Sequence, residues 1–107
     1  MEGLILRPAH GEKACIRVRS FSTLRDALGE DEIILNMNGR PTVHDVLLNL
    51  EEVFGDRVRA QLRDAVSGEL IPFLVMLNDH SVPISRRREL QVKDGDRLTI
   101  LPPIDGG

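Results

Sequence analysis

Apolar and polar residues alternate along "ACIRVRSF" at positions 14–21: Ile16 and Val18 point one way, Arg17 and Arg19 the other. Period-two alternation marks a strand with one buried face. "STLRDALG" then reads as one or two helical turns closed by Gly29. "EIILNM" is a second strand carrying Ile33, Leu35 and Met37 on one face, and "NGRP" breaks it. "TVHDVLLNLEEVF" changes the period. Val43, Val46, Leu47, Leu50, Val53 and Phe54 fall on one helical stripe, with Thr42 as N-cap, Asp45 as its capping-box partner and Gly55 as the stop. A short amphipathic piece, "DRVRAQLRDAVSG", ends in a turn. "PFLVMLN" is continuously apolar, as a strand covered on both faces would be. A turn, a short extended piece and a polar loop lead to a last strand, "RLTIL".

Five strands around one long helix predict an α+β fold: a mixed sheet of four to five strands with the main helix across one face. The first two strands form a hairpin-like pair, and the last strand belongs in the middle, beside the first. Residues 14–101 make the domain. Residues 1–13, with Pro8 and Gly11, read as a flexible extension with room for a short strand at 4–6, and residues 102–107 as an extended tail.

Composition narrows the function. The 107 residues suit one domain with a modest core. Three Phe, no Trp and no Tyr make that core aliphatic and leave little for base stacking. A formal net charge of -3 argues against a phosphate-backbone binder, so nucleic acid is not an expected partner. The opening apolar run is too short for a signal peptide or a membrane span, and the single Cys15 forms no internal disulfide; a cytoplasmic protein without membrane contact is expected.

Four stretches together resemble the ubiquitin-like sulfur carriers of the MoaD/ThiS type, which have the β-grasp fold: "VRSFSTLRDALGEDE", "TVHDVLLNLEEVFG", "FLVMLND" and, most specifically, "VKDGDRLTILPPIDGG". The ending "LPPIDGG" and the "DGD" before the last strand are most similar to the small subunit of molybdopterin synthase. Residues 1–13 exceed the usual start of the family, and Asp105 stands where a small residue is expected.

The resemblance implies a function for the tail. A carboxylate is a poor electrophile, and adenylation by ATP activates it. The family's route is attack of the Gly107 carboxylate on ATP within an E1-like adenylating enzyme, followed by sulfur from a sulfurtransferase to leave a C-terminal thiocarboxylate. Gly106 and Gly107, lacking Cβ, suit a narrow channel. Pro102 and Pro103 fix φ and carry no N–H, which keeps the tail extended through Ile104 and Asp105 and off the sheet. A Gly-Gly ending arises by chance in roughly 0.5% of chains; behind Pro-Pro and a strand, in this order of elements, it carries more weight. The chain is then a co-substrate rather than a catalyst, with no bound cofactor and with ATP used by its activating enzyme. The acceptor is the large subunit of molybdopterin synthase or another sulfur-acceptor enzyme. The alternatives are a modifier joined to lysines through the same C-terminus, and a sulfur carrier for cysteine, thiamine or tRNA thiolation.

Other positions were weighed beside the tail. In "PFLVMLN", one alternating set packs on the helix. The other set either lies under residues 1–13 or 57–63 or meets a partner. The partner reading is adopted, with Leu74, Met76 and Leu101 as its members. The arginines of "SRRRE" at 85–89 read as a solvated face. Cys15 shares the Arg17/Arg19 face with nothing that marks a thiolate. His10, His44 and His80 have no metal-ligand spacing.

Overall fold

The computed structural model describes residues 13–102. β1 (Lys13–Ser20) buries Ala14, Ile16, Val18 and Ser20 and exposes Arg17 and Arg19, as its alternation requires. α1 (Ser22–Leu28) buries Leu24 and Leu28. It ends where Gly29, at φ 90°, enters the left-handed region and donates its N–H to the Arg25 carbonyl at 2.8 Å. β2 (Glu32–Asn38) returns antiparallel to β1, with Ile16 opposite Leu35 and Val18 opposite Ile33.

α2 (Val43–Phe54) begins with the full reciprocal cap. The Asp45 N–H donates to Thr42 Oγ1 at 3.1 Å, and the Thr42 N–H donates to Asp45 Oδ2 at 2.9 Å. Val43, Val46, Leu47 and Leu50 are wholly buried. Val53, expected on the same stripe, is instead 58% exposed. The same last turn keeps Glu51 buried and packs Phe54 against the core, so Val53 is the stripe position that turns to solvent.

α3 (Asp56–Leu62) is the amphipathic piece, burying Val58 and Leu62. β3 is shorter than the apolar run: only Leu74–Leu77 pair, and Phe73 precedes them as a buried loop residue. β4 (His80–Ser81) is two residues long. A 3-10 turn at Ile84–Arg86 precedes the loop into β5 (Arg97–Leu101).

The strand order is β2-β1-β5-β3-β4. β1 and β5 pair in parallel at the centre, and the remaining pairs are antiparallel. Ile16, Val18, Val75, Leu98 and Ile100 of the sheet join Val46, Leu47 and Leu50 of α2 and Val58 and Leu62 of α3 in one aliphatic core. Three helices therefore share the cover expected from one. Segment 57–63 lies on this core side, and among the described residues no element covers the opposite face.

Two polar contacts tie the helical side together. Glu51, buried in α2, receives Arg63 side-on, from Nε at 2.6 Å and Nη2 at 3.0 Å. Arg87, within the arginine run expected to face solvent, is 5% exposed. Its Nη2 donates to the Phe73 carbonyl, and its guanidinium lies 4.9 Å from the centre of the Phe73 ring. The carbonyl at the entrance to β3 needs a donor, and the arginine that supplies it is drawn inside.

Candidate functional site

The sheet face away from the helices gathers what the alternation sets apart. Because Val75 and Ile100 are buried, Leu74 and Leu101, paired across β3 and β5, face the other way. Met76 pairs with Thr99 one step along the ladder and extends the same surface. Leu74 is 40% exposed, while Met76 and Leu101 are half-buried. The three residues expected on a partner surface therefore form one contiguous patch in the structure, and no described element lies over it. Pro102, exposed, follows directly from Leu101. Pro103, Ile104, Asp105, Gly106 and Gly107 lie outside the described residues, as does the strand expected at 4–6.

A basic flank adjoins the patch. Arg19 is the parallel neighbour of Thr99, and Arg17 that of Arg97. Arg17 and Arg19 are exposed, and the Arg97 Nε has no hydrogen-bond partner. The Arg19 guanidinium sits 5.6 Å from the centre of the Phe21 ring. Phe21, itself 38% exposed, lines a cleft of about 200 Å³ with Leu24, Leu62, Phe73, Leu101 and Pro102, at the root of the tail. Sequence reasoning placed Arg17 and Arg19 on this face but did not join them to the leucines. The missing signal was the parallel β1–β5 register, which no local pattern encodes. Phe21 and Ile34, the latter 59% exposed opposite Arg17 in the antiparallel β1–β2 pair, were also missed.

Cys15 is half-buried on this face, and its backbone N–H donates to Asp94 Oδ1 at 2.7 Å. His44 starts α2, and burial and the neighbouring Arg88 lower its pKa below the ordinary imidazole value. His80 sits on β4, and His10 lies outside the described residues. Among the described residues no three His, Cys, Asp or Glu side chains are placed to hold a metal, and no helix is long and apolar enough to cross a membrane. The described residues thus place an apolar patch, a cationic margin and the exposed Pro102 side by side.

The sequence model of the ThiS family matches residues 18–107, from the middle of β1 through the last residue. The chain belongs to the ThiS family. Beside this ThiS-family chain stands the small archaeal modifier protein 3 of Haloferax volcanii, 29% identical over 93 residues that cover 86% of this chain and 98% of that protein. The solution structure of a Haloferax volcanii protein superposes with a TM-score of 0.71 at 29% identity, covering 89% of this chain and 88% of that one. A chain of the Amycolatopsis orientalis BexX/CysO complex is 35% identical, with a TM-score of 0.59 over 86% of this chain and 99% of that one. The fold is thus the ubiquitin-like β-grasp, in a family of small modifiers and sulfur carriers.

Proposed function

We propose that this ThiS-family chain is a sulfur carrier activated at Gly107. The observation that carries the reading is the course of β5. The strand runs through the centre of the sheet and delivers Leu101 to the open patch and Pro102 to solvent, and Ile-Asp-Gly-Gly follows within a few residues. A partner gripping Leu74, Met76 and Leu101 holds the root of the tail, so the terminal carboxylate reaches a channel at a fixed distance. The entropy lost on insertion is then limited to the residues beyond the prolines. In an adenylating enzyme the Gly107 carboxylate attacks the α-phosphate of ATP and expels pyrophosphate. Sulfur delivered by a sulfurtransferase displaces AMP from the acyl carbon, and the resulting thiocarboxylate is the donor.

The acceptor proposed from the tail sequence is the large subunit of molybdopterin synthase. The relationship to small archaeal modifier protein 3 favours a second reading, in which the same adenylate is passed to lysines of other proteins. One experiment addresses both. The chain is incubated with its genome's adenylating enzyme, ATP and a sulfur source, then weighed intact, and the cells are searched for glycylglycine remnants on lysine. Exchange of one oxygen for one sulfur supports the carrier, and lysine remnants that end in this tail's sequence support the modifier. An unchanged mass with the cognate enzyme and ATP overturns activation at Gly107.

A further inference from the structure

A second recognition surface lies on the helical side, independent of the tail. The start of α2, the end of α3, residues 69–72 and the 3-10 turn enclose a cleft of about 550 Å³. His44, Arg63, Arg87 and Arg88 line it, against one acid, Glu69. These cations are not equivalent. Arg63 is neutralised by Glu51 at 2.6 Å and spends Nη1 on the Gly68 carbonyl at 2.9 Å. Arg88 is exposed and makes no ion pair with another described residue. Arg87 is the unusual one. It is 95% buried, its Nε has no hydrogen-bond partner, and among the described residues it meets the Phe73 carbonyl and ring with no carboxylate paired to it. A buried charge is normally paired, because losing its water costs more than neutral contacts return. The cleft therefore carries an unanswered positive charge.

Its remaining wall is apolar and partly bare. Ile84 is 60% exposed, Pro72 is exposed, and Ile71 is half-buried between them and the core. A free inorganic anion would meet the arginines and leave Ile84 and Pro72 in water. A peptide that alternates acidic and apolar side chains satisfies both halves. We propose that this cleft docks an acidic segment of a partner protein, with its carboxylates received by Arg88 and His44 above Arg87 and an adjacent apolar side chain seated on Ile84 and Pro72.

The electrostatics agree. Burial and the charges of Arg88 and Arg63 hold His44 toward its neutral form, and Asp45 and Glu51 oppose them only in part. A carboxylate arriving at Arg88 offsets the second of these causes and leaves the first, burial, in place.

The test is an NMR titration of the full-length labelled chain with the probe peptide acetyl-Leu-Asp-Ile-Glu-Leu-amide, its Asn/Gln counterpart, and inorganic phosphate. The acidic peptide is expected to shift the Ile84 methyl and His44 ring signals saturably, and the uncharged peptide to do so at least tenfold more weakly. Arg88→Glu, at an exposed unpaired position, should keep the thermal midpoint and lose at least tenfold in peptide affinity. Three results would overturn the proposal: equal binding of both peptides, phosphate moving His44 while the acidic peptide leaves Ile84 unmoved, or no response to the acidic peptide at millimolar concentration.

Discussion

Leu74 and Leu101 are registered partners on the side of the sheet away from the helices, one on β3 and the other on β5, the last described strand. Neither is needed to close the core, which Val75 and Ile100 fill from the opposite side. Leu74 is exposed and Leu101 half-buried, so a partner that docks as proposed finds the pair accessible.

A charge at this pair separates folding from docking. Leu74→Asp is expected to leave the thermal midpoint within a few degrees of the parent, because the side chain already meets water. Its affinity for the adenylating enzyme should fall by about tenfold or more, since a carboxylate desolvated at an interface without a partner costs more than the roughly 1–3 kcal/mol of a neutral polar group. Calorimetry paired with a binding isotherm checks it. A variant that unfolds but binds normally would put Leu74 in the core.

The tail obeys different physics. Gly106→Ala adds a Cβ beyond the last strand, so the melting curve should not move. The added methyl narrows the accessible backbone and widens the chain, and adenylation measured by pyrophosphate release should slow. A wild-type rate would remove the narrow channel from the mechanism.

Glu51 is the most consequential acid on the helical side. Glu51→Ala removes both carboxylate oxygens that accept from Arg63 and leaves a partly buried cation held, among the described residues, only by the Gly68 carbonyl. A loss of about 1–3 kcal/mol is expected, which for a domain of this size lowers the midpoint by roughly 4–8 °C per kcal/mol. Urea unfolding reads it directly, and an unchanged midpoint would make the pair ornamental.

His44 supplies a pH dependence of known sign. Its folded-state pKa lies below the ordinary value, from burial first and Arg88 second. The unfolded chain therefore binds the proton more readily. The stabilisation is complete above the unfolded value of about 6.5 and is lost as pH falls toward the lower folded value. His44→Gln should flatten the stability profile in that window. Arg88→Gln should move the imidazole titration upward in proton NMR, and a titration that stays put would exclude Arg88 as a cause.

Much of this was legible in the sequence because the informative patterns are local. The Arg17/Arg19 alternation, the Thr42–Asp45 cap and the Gly29 stop each need only a few neighbouring residues, and each appears as expected. The apolar run at 72–78 gave a strand with one set of side chains on the core and the other turned away from it. It gave the wrong length, because pairing depends on how far β5 extends beside it. Arg87 was misread because the need it meets, a bare carbonyl at Phe73, arises only once distant segments are brought together. The basic margin was invisible for the same reason: Arg17 and Arg97 are neighbours through a parallel pairing of the first and last described strands.

That pairing makes β5 a keystone. Without it the sheet falls into two separate pairs, β2 with β1 and β3 with β4, sharing no hydrogen bond. A chain still emerging from the ribosome has no sheet centre until Arg97–Leu101 arrives, and a chain cut before that point never acquires one. The register that sets Leu101 beside Leu74 exists only once β5 is in place. An enzyme that reads those two leucines before accepting the carboxylate would therefore also be checking that the sheet has closed, spending ATP only on folded chains.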